Sequence, residues 1–162
     1  MTVRTRLGMM MFLEFAIYGA WLPVLSEYLM NGLHFTGTQV GVIMSLLPLA
    51  TIVSPFIIAQ ITDRYLAAEH VVACLQLSGA AVLFVMSGST SYAGMKWLML
   101  AYSLLFAPTF ALTSSIAFAH LSRPDEEFGK IRVWGTIGWI AAGLVLAGWR
   151  WRAHSLGVPA YP

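Results

Sequence analysis

Arg132, Thr136, Trp139 and Gly143 recur at i, i+4, i+7 and i+11 in the stretch KIRVWGTIGWI and its continuation. On a helix turning ~100° per residue, those positions form one narrow stripe. The stripe carries a fork of N–H donors, a hydroxyl, a flat aromatic face and a gap where a partner can approach. Hydrogen bonding and stacking of that kind suit a polar, planar solute. A structural reading stands beside it, in which Arg132 snorkels to the headgroups and Trp139 packs against lipid.

A second group lies near the start of the chain, where FLEFAIYGAW sets Glu14, Tyr18 and Trp21 at i, i+4 and i+7 on one helical face. A carboxylate inside an apolar stretch is costly, and such groups usually face a bundle interior or a wet cavity. Glu14 can then carry a coupling proton or act as the ionic partner of a cation such as Arg132. Glu27, nearer the end of the same stretch, can reach water and is given no role. In AQITDRYLAAEH, Asp63 and Arg64 follow a long apolar run. There they form either a charged turn that pins neighbouring helix ends or a solvated pair of little energetic weight.

Bond chemistry finds no foothold. There is no HExxH, no serine and histidine placed together inside an apolar run and no intramembrane aspartate pair. His34, His70, His120 and His154 all fall at loops or helix ends. The single cysteine, Cys74, excludes a disulfide framework, no metal-ligand spacing exists, and no cofactor is expected. A net charge of +2, with no basic cluster interleaved with aromatics, leaves nucleic acid without a footprint.

The elements that must position these groups follow from the solvent. Hydrophobic residues make up 59% of the chain and charged residues 10%, against about 25% charged in a soluble domain. The expectation is an all-α, polytopic membrane bundle with spans at 7–30, 38–61, 70–88, 96–120 and 131–149. Arg4 and Arg6 ahead of the first span resemble a signal peptide's basic start. The apolar run is too long and lacks a clear cleavage site, so a retained helix is expected. Pro23, Pro48, Pro55 and Pro108 inside spans are tolerated in a membrane, where neighbours re-satisfy freed backbone groups. Gly135 and Gly138, like Ala142 and Gly143, suit close helix contact. An N-terminus on the cytoplasmic side puts Arg4, Arg6, Arg64, Arg123, Lys130 and Arg132 inside, with Lys96, Arg150 and Arg152 outside. Five spans, ending in a Pro/Gly-containing loop, read as the N-terminal piece of a longer protein.

KIRVWGTIGWI resembles the fifth-helix motif of the nucleoside:H+ symporter family within the major facilitator superfamily. FLEFAIYGAW is similar to that family's first helix, where a glutamine often stands in place of Glu14. The TDRYLAAEH loop partly resembles the superfamily's loop between its second and third helices. Ala59 and Ala67 there replace glycines, and Ala68 and Glu69 replace the trailing basic pair. The likeness in span order and loop length covers residues 5–149. It implies the first five helices of a six-helix N-terminal half, with the C-terminal half absent. It also implies proton-coupled nucleoside uptake across the cytoplasmic membrane, with Arg132, Thr136 and Trp139 contacting the nucleoside. Tryptophan stands at 139 where phenylalanine is common, which enlarges the stacking face. The other readings are a transporter of a sugar, nucleobase or drug, and a non-transporting membrane module. The partners implied are a nucleoside, protons, the lipid bilayer and the missing half of the same protein.

Overall fold

The computed structural model describes residues 2–64 and 67–155; among them the side chains at 55 and 57–64 lie outside the description. The elements are α1 (Val3–Glu27) with a π-helical turn at Tyr28–Gly32, α2 (Gly37–Arg64), α3 (Ala68–Ser87), α4 (Tyr92–His120) and α5 (Pro124–Ser155). All five helices are long and apolar enough to cross a membrane, and no strand occurs among the described residues.

The helices outrun the apolar runs that announce them, because their polar ends are good helix termini. α5 begins at Pro124 rather than at 131. Proline is pre-organised for the first helical position, and Asp125, Glu126 and Glu127 complement the positive end of the helix dipole. At the far end, the segment 149–152 with its alternating tryptophans and arginines stays helical. α2 opens on a reciprocal capping box: Thr36 N–H donates to Gln39 Oε1 at 2.9 Å, and Gln39 N–H to Thr36 Oγ1 at 3.4 Å. α1 opens on Thr2, whose Oγ1 accepts from Thr5 N–H. Its exit turns at His34, the one described non-glycine residue with positive φ (56°).

The chain divides into two compact units. One comprises residues 35–116, and its core is built from rows of apolar side chains at helical spacing. Val40, Ile43, Leu47 and Ala50 line α2, and Met95, Met99, Tyr102 and Phe106 line α4, all buried. Tyr102 and Phe106 stack with centroids 5.3 Å apart, and Gly79 of α3 lies against the Tyr102 ring. Two buried hydroxyls of α4 are satisfied within the helix: Thr109 donates to Phe106 C=O at 2.6 Å and Thr113 to Thr109 C=O at 2.8 Å. That local bonding lets polar groups sit in an apolar interior.

The other unit joins α1 and its π turn to α5 and the last turn of α4. Residue numbers rise together along the α1–α5 contact, so the two helices are parallel: Arg4 meets Glu127, Gly8 meets Trp134, Gly19 meets Trp139 and Glu27 meets Arg150. Glycines set the approach. A Cβ at Gly138 would lie 2.1 Å from the Phe12 carbonyl oxygen, and one at Gly19 would lie 2.8 Å from the Trp139 carbonyl oxygen. Without a hydrophobic driving force in lipid, such backbone contact is what holds helices together.

Candidate functional site

The KIRVWGTIGWI segment is largely the complement of α1. Trp134 lies against Gly8, Gly135 receives the Phe15 ring, Gly138 abuts the Phe12 backbone, and Trp139 sits over Gly19. The glycine spacing expected to serve helix contact does so at 135 and 138. At Gly143 a Cβ would meet nothing within 4 Å, so that position is an open gap.

Arg132, Thr136 and Trp139 run along one edge of this contact face, where Arg132 and Trp139 still touch α1. Taking the direction toward the partner helix as zero, their stripe lies roughly 120° round α5. Glu14 lies roughly 120° round α1 in the opposite sense. Because the helices are parallel, both offsets point to the same side of the pair. On that side Arg132 and Thr136 are exposed and Trp139 is 43% exposed, whereas Glu14 is buried at 3%. Tyr18, one turn beyond Glu14, meets Trp21 edge-to-face with centroids 5.8 Å apart. The three aromatic and acidic residues read from FLEFAIYGAW thus stay within one face of α1.

Arg132 forms no hydrogen bond or ion pair among the described residues. Its guanidinium carbon instead stands 4.5 Å from the centroid of the Phe15 ring. The stripe therefore offers N–H donors, a hydroxyl and an indole edge along one exposed strip of helix. The opposite side of the α1–α5 pair holds a cleft of about 520 Å³, lined by Arg4, Met9, Phe12, Lys130, Ile131 and Trp134. That cleft does not include the stripe. Asp63 and Arg64 end α2, and their side chains lie outside the described residues.

Two ion pairs close the ends of the helix pair, and neither is visible in hydropathy or helical period. Arg4 donates to Glu127 at one end. At the other, Arg150 forks onto Glu27, Nη1 to Oε2 and Nη2 to Oε1. Glu27 thus has a structural role that its position near water does not suggest. Its partner is 123 residues away, and so is that of Arg4. The shared separation becomes a signal only once α1 and α5 are known to be parallel neighbours.

Comparison with known proteins bears on the family and the fold. A family model described as nucleoside H+ symporter matches residues 1–156. The chain is 42% identical over 144 residues to the putative nucleoside transporter YegT of Escherichia coli (strain K12), covering 89% of this chain and 34% of that protein. It is 39% identical over 146 residues to the xanthosine permease of the same organism, covering 88% and 35%. A crystal structure of the nucleoside transporter NupG superposes with a TM-score of 0.86 at 30% identity, covering 92% of this chain and 38% of that one. The chain thus spans little more than a third of the length of these relatives. With an all-helical fold of the major facilitator type, and a family model matched along nearly its whole length, the chain belongs to the nucleoside H+ symporter family.

Proposed function

We propose that this chain is the N-terminal part of a proton-coupled nucleoside transporter of the cytoplasmic membrane, with its N-terminus on the cytoplasmic side. The observation that carries the reading is the exposed Arg132–Thr136–Trp139 strip on α5, on the same side of the α1–α5 pair as the buried Glu14. A nucleoside is uncharged, polar and planar at the base. Arg132 donates to ribose or base oxygens, Thr136 adds a short hydrogen bond, and the Trp139 indole stacks on the base. Relatives named as a nucleoside transporter and a xanthosine permease support that solute class. Binding near the midplane, at the interface of two halves, fits polar groups on one helix face. The second half and its share of the site belong to the rest of the longer protein.

Glu14 is assigned the coupling proton, since a buried carboxyl inside a span is suited to gain and lose one as access alternates. Asp63 and Arg64 are assigned to a charged turn at the end of α2 that biases the alternation. The protein moves its solute and makes or breaks no covalent bond in it.

The test is uptake of labelled uridine and xanthosine by the full-length protein in energised cells. Arg132→Ala is expected to lower uptake by about tenfold or more, the loss of a charge-assisted hydrogen bond, with membrane abundance unchanged. Normal uptake by that variant removes the assignment. Competition by sugars in place of nucleosides would redirect the solute class while keeping the fold.

A further inference from the structure

Arg132 is held in an unusual way for an arginine within a membrane span. Its guanidinium faces the Phe15 ring at 4.5 Å, and among the described residues it meets no carboxylate. The same ring is gripped from α5. A Cβ built at Gly135 would fall 2.7 Å from Phe15 Cδ2, 3.1 Å from Cγ and 3.2 Å from Cε2. The ring thus fills the space that any other residue at 135 would occupy, and Arg132 and Gly135, at i and i+3, share it.

We infer that Phe15 is a positioning residue for solute recognition: gripped at Gly135, its ring is the platform that presents the Arg132 guanidinium to the nucleoside. This rests on the reading of Arg132 as a nucleoside contact. The reason a ring serves here lies in donor accounting. A carboxylate partner takes up two of arginine's N–H groups in a bidentate fork and cancels its charge. An aromatic face stabilises the cation through the ring quadrupole and takes up none. A guanidinium on a ring keeps its donors for a neutral oxygen acceptor, the kind a ribose or a base offers. The contrast exists within this helix pair: Arg150, forked onto Glu27, has donors already engaged, whereas Arg132 does not.

The experiment uses the full-length protein, with uridine KM, maximal rate and membrane abundance measured for each variant. Phe15→Leu, which keeps apolar bulk and removes the π face, is expected to raise KM between about threefold and thirtyfold, the range of a partly desolvated cation–π contact. Maximal rate per molecule should stay within twofold. Phe15→Tyr keeps the face and should hold KM within twofold of the parent. Gly135→Ala puts a methyl where the ring lies and should raise KM like Phe15→Leu, so it serves as the second variant if the leucine protein fails to reach the membrane. In an Arg132→Gln background, Phe15→Leu should add nothing further. Native KM in Phe15→Leu, or equal damage in the leucine and tyrosine variants, overturns the platform. Native KM in Arg132→Gln alone overturns the underlying site instead, so the two failures are distinguishable.

Discussion

At the level of single residues, Trp139 shows how a large side chain is made to fit. A Cβ at position 19 would lie 2.7 Å from Trp139 Cδ1, so only glycine leaves the indole its seat beside α1. The seated indole remains 43% exposed and offers a stacking edge. Base–aromatic stacking is worth about 1–3 kcal/mol. Trp139→Ala in the full-length protein should therefore weaken equilibrium uridine binding by roughly tenfold, read by isothermal titration, while Trp139→Phe retains most of it. An unchanged affinity in the alanine variant would place the indole in packing alone. Glu14 belongs to the same scale. Glu14→Gln keeps the shape and removes the titrating proton. Nucleoside binding should persist in that variant while uptake stops responding to an imposed pH gradient, measured in vesicles with and without the gradient. These side chains are legible in the sequence because each falls on a helical stripe of unusual chemistry. Phe15 is not, since a phenylalanine in an apolar run carries no signal until its neighbour across the helix interface is known.

At the level of elements, α1 and α5 form a pair joined by glycine contacts along its length and by an ion pair at each end. Arg4 and Glu27 are 23 positions apart on α1, as are Glu127 and Arg150 on α5. That is about 35 Å of helix at 1.5 Å per residue, slightly more than the roughly 30 Å hydrocarbon core. Both pairs thus reach the headgroup zones, where charged groups are cheap to keep and the register of two parallel helices can be fixed. Arg150→Glu should set like charges together and lower the thermal midpoint of the full-length protein in detergent. Combining it with Glu27→Arg should recover most of the loss, as a thermal-shift double-mutant cycle would show. Additive losses would mean the fork contributes no coupling. Between the ends, Gly138→Ala forces a methyl toward the Phe12 carbonyl at 2.1 Å. Because the obstacle is backbone, the helices must part, at a cost of about 1–3 kcal/mol, measurable as a fall of several degrees in the same assay. Helix ends are less legible than helix middles. Charged residues such as those of PDEE mark a loop by composition but a good first turn by capping chemistry, and α5 follows the capping.

At the level of the whole molecule, the chain corresponds to 34–38% of the length of the relatives compared. A solute path between two halves needs both. Vesicles containing this chain alone should therefore show no proton-driven uridine uptake above protein-free controls. Uptake there would mean that copies of the chain assemble a complete path by themselves. Exposed apolar side chains such as Phe84 (81%), Val145 (73%) and Trp151 (76%) are the outward counterpart of this architecture, suited to acyl chains or further helices rather than water.

Hydropathy and helical period are local properties, and they sufficed for the bilayer as solvent, the helix count, and the grouping of Arg132, Thr136 and Trp139 on one strip. Family membership was legible for the same reason, since the motif that carries it is contiguous. The tertiary structure alone decided which faces of α1 and α5 meet, that Glu27 closes onto Arg150, and that a ring rather than a carboxylate supports Arg132. Those facts depend on pairings between residues more than a hundred positions apart. The rotation and register of one helix against another determine such pairings, and no periodicity within either helix encodes them.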